Sequence, residues 1–217
     1  MDILNIVSQL GQGMVVTIEI FVLTLVFSLP LGLVISFGRM SKNFILRNVL
    51  KFYISIMRGT PLMLQLLVVY FGPYYLFGIP ISSSYRFTAT IIAFVLNYAA
   101  YFAEIYRSGI ESMPRGQYEA CSVLGYSKVQ GFFKIIFPQV IKRILPPVTN
   151  ETITLVKDTS LAFTLSVMEM FTTAKAIAAA EKSMIALAAA GVFYYIFNLI
   201  VAMVMERIEK KMNYYSL

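Results

Sequence analysis

Residues 115–139 read RGQYEACSVLGYSKVQGFFKIIFPQ and lie between two strongly apolar stretches. The segment is too polar to cross a bilayer, yet it carries ordered helix punctuation. Gln117 to Leu124 reads as a short helix, and Gly125 sits where a left-handed C-terminal stop belongs. Ser127 with Gln130 three residues later is a capping-box start for a second helix, which Pro138 is expected to end or kink. Two helices meeting at Gly125 in a positively charged loop suit the docking of a partner. An amphipathic hairpin resting on the lipid surface fits the same local pattern.

Outward from this segment the chain is apolar. Of its 217 residues 59% are hydrophobic and 13% charged, which excludes an ordinary soluble domain. Five runs approach the ~20 residues that a membrane helix needs, at about 14–38, 53–76, 87–106, 141–167 and 184–206. The chain thus reads as an all-α membrane protein, one domain over 1–217, with a polar loop at 107–140. The first run is no signal peptide, because Asp2 precedes it and no basic segment does. The Ala-rich stretch 174–190 reads as helix entering the last span, and Pro30, Pro146 and Pro147 imply kinks inside spans.

The net charge of +7 raises nucleic acid as a partner, but its distribution fits a membrane instead. Segments 39–51, 107–143 and 207–217 hold thirteen Lys and Arg, whereas 1–13, 77–86 and 168–183 hold only Arg86, Lys175 and Lys182. The positive-inside rule then puts the N-terminus outside, the C-terminus inside and the 107–140 loop in the cytoplasm. Absences narrow the chemistry. There is no His, the single Cys121 permits no intrachain disulfide, and no phosphate-cradling G-x-x-x-x-G-K-[S/T] loop occurs. An enzyme is not expected, and no metal or cofactor is expected in this chain.

The fourth run departs most from apolar composition: NETITLVKDTSLAFTLS, Asn150 to Ser166. At about 100° per residue, Asn150, Glu151, Thr154, Lys157 and Asp158 fall within an arc of about 120°. Each uncompensated charge at mid-bilayer costs at least ~2.5 kcal/mol, so this face needs a wet or paired environment. Two arrangements satisfy it: a stripe facing substrate, or structural pairing among these charges or with Arg58 on another span. A zwitterion suits the first, with its carboxylate near Lys157 and its ammonium near Glu151 or Asp158. Asn97 in the third run adds a neutral donor and acceptor, which interhelical hydrogen bonding also explains. Glu104 and Arg107 read as a structural pair, and Tyr70, Phe71, Tyr74, Tyr75 and Phe77 read as interface anchors.

Four stretches carry a family resemblance. The first is Glu119-Ala120-Cys121, then Gly125, then Ile135-x-Phe137-Pro138. The others are Arg58 to Leu62 (RGTPL), Asn97 to Gly109 (NYAAYFAEIYRSG) and Lys157 to Leu161 (KDTSL). Together they resemble the polar amino acid permeases of type I ABC importers, the histidine/glutamine/arginine group, over nearly the whole chain. Cys121 replaces the second Ala of the family's E-A-A signature and Phe137 its Leu, both mild changes.

The resemblance implies that 117–124 is a coupling helix seated in a separate ATPase, through Gln117, Glu119, Ala120, Cys121, Leu124 and Gly125. It implies an ATPase dimer that holds ATP and Mg, a second permease subunit, identical or paralogous, and an extracytoplasmic solute-binding protein. The implied role is the translocation pathway for an amino acid across the cytoplasmic membrane of a prokaryote, by alternating access. Polar residues of spans three and four line that route in the family, which points to Asn97, Glu151, Lys157 and Asp158, with Thr154 on the same stripe. The rival reading is a secondary transporter or small channel driven by an ion gradient, for which the docking loop has no use.

Overall fold

The computed structural model describes residues 2–212. Residues 213–217, the end of the last basic segment, lie outside the described residues. The described chain is helical, with no strand among its elements. A 37-residue helix, α1 (Ile3–Arg39), runs first, and Pro30 lies inside it. It is followed by α2 (Phe44–Gly59), α3 (Leu62–Phe77) and α4 (Tyr85–Glu111). The short α5 (Arg115–Val123) and α6 (Lys128–Gly131) lead through a wide π-helical segment, Phe132–Ile136, into α7 (Phe137–Asp158). A 3₁₀ segment, Thr159–Leu165, precedes α8 (Met170–Glu181) and α9 (Ile185–Met212).

By length and composition α1, α4 and α9 each suffice to cross a bilayer. Two bent pairs raise the number to five if each is one span: α2 with α3, at 114°, and Lys128–Leu165 with α8, at 57°. The buried face of α1 includes Gly13, Thr17, Thr24, Ser28, Gly32 and Ser36, small residues spaced four or seven apart. Small residues let helix backbones approach closely where apolar burial gives no advantage over lipid. At Gly32 the approach to α4 is such that a Cβ would stand 2.8 Å from Phe102 Cβ and 3.0 Å from the Ala99 carbonyl oxygen. The main core gathers Ile20, Leu66, Phe94, Tyr98, Phe102 and Leu155 from α1, α3, α4 and α7. On α9, by contrast, Val192, Tyr195, Ile196, Leu199 and Ile200 stay exposed, as lipid-facing residues are.

Three sequence expectations are corrected. The run 53–76 is not one helix, because Pro61 has no N–H to continue the ladder and the chain turns at Thr60. The run 174–190 is likewise broken: Lys182 adopts a left-handed conformation (φ 49°), and the Ser183 hydroxyl accepts from Ile185 N to start α9. Of the two outcomes expected at Pro138, an end or a kink, the end does not occur: the helix continues through it. The π-helical segment immediately before it, in which Phe137 N bonds to the Phe132 carbonyl, widens the turn that the pyrrolidine ring would otherwise crowd.

Candidate functional site

The break between α2 and α3 builds one wall of the principal site. It frees the Met57 carbonyl, which accepts from Gln65 Nε2 at 3.0 Å and from Asn97 Nδ2 at 3.1 Å. Gln65 also donates to the Thr60 carbonyl and hydroxyl, and its own Oε1 accepts from Asn97 at 2.9 Å. Asn97 and Gln65 are both buried, so this latch satisfies backbone groups that lipid would leave unpaired. It fixes the broken helix beside the middle of α4.

Next to the latch lies a cavity of about 420 Å³ between the α2–α3 joint, α4 and α7. Its wall includes Thr60, Asn97, Tyr98, Tyr101, Glu151, Thr154 and Asp158. Four of the five residues expected on the polar route, Asn97, Glu151, Thr154 and Asp158, therefore share one space. The fifth, Lys157, does not line it. Lys157 is exposed on α7, close enough to Asp158 for their charges to interact. Asp158 Oδ2 accepts from Tyr98 OH at 2.8 Å, a partner that helical periodicity could not name. Asn97 has a double place, since it lines the cavity while its amide serves the latch. The cavity thus presents two carboxylates and several neutral hydrogen-bonding groups, a surface matched to an ammonium group.

Below this cavity a second one, of about 330 Å³, shares Tyr101 and Glu151 with it and extends towards Ser112 and Arg143. The Arg58 guanidinium borders it, 5.3 Å from the centre of the Tyr101 ring. Arg107 pairs with Glu104 and Glu111, as a structural pair should.

The hairpin of α5 and α6 matches its local signals closely. Gly125 has φ 76°, with Tyr126 N bonded to the Cys121 carbonyl and Gly125 N to the Ser122 carbonyl, the paired closure of a left-handed stop. Ser127 and Gln130 exchange both capping-box bonds, at 3.2 and 3.1 Å. Glu119, Ala120, Leu124 and Gly125 are exposed. Gln117 is partly buried and accepts from Gln139, and Cys121 is buried against Gly131, where it joins the two helices. Val123, Leu124 and Val129 are 87, 72 and 67% exposed, an apolar tip on a polar loop. Only Leu124 of these three stood out in the sequence, because apolar residues in a short helix are usually assigned to its packed face. Partial burial holds the Tyr118 hydroxyl above its ordinary range, so it remains a donor.

A third polar centre went unread in the sequence. Glu169, wholly buried, caps α8 by accepting from Phe171 N (2.7 Å) and Thr172 N (2.6 Å). The Thr172 and Tyr194 hydroxyls also donate to it, at 2.8 and 2.9 Å. Among the described residues no group of three or more His, Cys, Asp or Glu is placed to hold a metal ion.

Residues 28–214 match the family described as binding-protein-dependent transport system inner membrane component. The chain is 35% identical to a putative glutamine transport system permease of Rickettsia conorii, covering 93% of this chain and 91% of that protein. It is 36% identical to the L-cystine transport system permease of Bacillus subtilis, covering 95% and 87% respectively. Among solved structures, an amino acid ABC transporter determined with histidines superposes with a TM-score of 0.86 at 29% identity, over 97% of this chain and 99% of that one. The MetNI methionine ABC transporter shares the fold, with a TM-score of 0.70 at 17% identity over 96% of both chains.

Proposed function

Because the chain belongs to the family of binding-protein-dependent transport system inner membrane components, we propose that it forms the translocation pathway of an ATP-driven amino acid importer. Its fold is that of the type I ABC importer membrane domain. The observation that carries the proposal is the convergence of Asn97, Glu151, Thr154 and Asp158 on one cavity between α3, α4 and α7. Two carboxylates beside hydroxyl and amide groups suit the ammonium end of an amino acid, whereas a neutral sugar does not require their charge. Glutamine, cystine and arginine in the names of relatives agree with that class.

In this reading α7 is both wall and lever. The helical run from Lys128 to Leu165 is continuous through the π-helical segment, and it joins the hairpin to Glu151 and Asp158. Glu151 lies 14 residues beyond Phe137, roughly 21 Å along the helix. A separate ATPase dimer holding ATP and Mg would grip the apolar tip at Val123, Leu124 and Val129. Its closure would drag two such hairpins together, one from each permease subunit, and alternate the access of the cavity. A solute-binding protein would deliver substrate from outside, with the N-terminus on that side and the basic loops in the cytoplasm of a prokaryote. The chain itself would be no enzyme.

The test is co-purification of this chain with an ATPase subunit, followed by hydrolysis assays of the reconstituted complex across an amino acid panel. Stimulation by one class of amino acid supports the proposal. A chain that transports without any ATPase subunit refutes it.

A further inference from the structure

Arg58 and the inner cavity have no role in the pathway as described so far. Resting on the reading that the larger cavity receives an amino acid, we propose that the smaller one is a second station on the route. There Arg58 takes the substrate carboxylate. The larger cavity has no Lys or Arg in its wall, so it can hold an ammonium group but offers a carboxylate no cation. The smaller one has Arg58 and Arg143 in its wall, together with Glu104 and Glu151.

These charges are not equally available. Arg143 already donates to the Ser112 carbonyl and hydroxyl, at 2.8 and 3.2 Å, and Glu104 is held by Arg107. The Arg58 side chain is exposed and its guanidinium carbon lies 5.3 Å from the centre of the Tyr101 ring, a cation–π distance at which a guanidinium can still offer N–H groups to a carboxylate. Glu151 borders both spaces and lies near enough to Arg58 for their charges to interact. A zwitterion can therefore keep its ammonium on Glu151 while its carboxylate swings past the Tyr101 ring to Arg58. The volume, about 330 Å³, falls within the usual range for small-molecule sites, ~300–1,000 Å³.

The test uses the complete complex, with its ATPase and binding protein, in proteoliposomes. The probes are labelled L-glutamine, L-arginine and L-cystine, and the one that wild type carries fastest is retained. Losing a charge-assisted contact made only in transit should lower the maximal uptake of Arg58→Gln about tenfold or more, with half-saturation changed less than about twofold. Stimulated ATP hydrolysis should persist. Arg58→Lys, which keeps the charge but loses the bidentate fork, should fall between Arg58→Gln and wild type. Ser108→Phe, an exposed position in the inner wall, should block uptake in the same way without touching Arg58. Wild-type uptake by Arg58→Gln overturns the proposal, as does Arg58→Lys no better than Arg58→Gln. If Arg58→Gln does not assemble, wild-type uptake by Ser108→Phe overturns it. Asp158→Asn, confined to the larger cavity, tests the underlying reading separately: if it transports normally, that reading fails whatever Arg58 does.

Discussion

Glu169 and Asp158 are both carboxylates drawn out of water, and their surroundings are opposites. Glu169 receives two backbone N–H groups and two hydroxyls, with the Thr17 hydroxyl at 3.5 Å, so its acceptor capacity is filled by the fold. Asp158 receives Tyr98 OH on one oxygen and faces a cavity. A buried charge that is fully solvated by protein donors stabilises a joint, here α1, α8 and α9. One that is partly satisfied beside open space is poised for a ligand. Both are carboxylates, so residue type does not separate the two roles, whereas burial and the count of donors do: Glu169 is wholly buried and Asp158 only partly.

The largest expected effect tests the filled site. Glu169→Ala removes a helix cap and strands two N–H groups and the Tyr194 hydroxyl, at a cost of about 3 kcal/mol or more. We expect loss of folded protein in detergent, read by size-exclusion recovery and thermal midpoint. Glu169→Gln keeps one acceptor oxygen but turns an NH2 towards the donors on the other, so it should recover only part of it. Asp158→Asn should do the reverse, lowering uptake about tenfold or more while leaving the thermal midpoint near wild type, because Asn Oδ1 still accepts from Tyr98. Equal loss of stability in both Glu169→Ala and Asp158→Asn would erase the distinction.

Gly125→Val comes next. A β-branched residue at φ 76° is strained by about 1–3 kcal/mol, confined to the hairpin. Uptake and stimulated ATP hydrolysis should fall together while the membrane helices keep their thermal midpoint. Unaltered transport would remove the hairpin from the mechanism. The last variant sharpens the latch: Gln65→Leu removes the bonds to the Met57 and Thr60 carbonyls and the Thr60 hydroxyl, takes the Gln65 acceptor from Asn97, and should cost about 1–2 kcal/mol. Hydrogen exchange at the α2–α3 joint should rise accordingly.

What the sequence made legible was local. Gly125, Ser127 and Gln130 act on neighbours within five residues, so their spacing carries the geometry. The polar stripe of α7 was legible because helical periodicity alone brings Glu151, Thr154 and Asp158 to one side. Lys157 fell in the same arc, yet the cavity occupies only part of that arc. Partners across the fold were not legible. Tyr98 meets Asp158 across 60 positions and Tyr194 meets Glu169 across 25, and an apolar tyrosine-rich helix gives no sign of which hydroxyl points where. The break at Thr60 escaped for another reason. Hydropathy averages over a joint whose two arms are both apolar, so 53–76 reads as one run even though Pro61 fits the first turn of a helix, where α3 begins.

The wide turn at Phe132–Ile136 has a consequence for rotation. Each residue of an α-helix advances the chain by about 1.5 Å and turns it by about 100°. A π-helical turn lodges one additional residue, so tightening it would swing the hairpin about the axis of α7 without parting the helix. The segment stands between the tip at Val123 and Leu124 and the carboxylates of α7. Deleting Lys134 should let the run close as regular helix with the tip near its present azimuth, whereas a regular helix that kept all five residues would turn the tip by several tens of degrees, on the order of 60–90°.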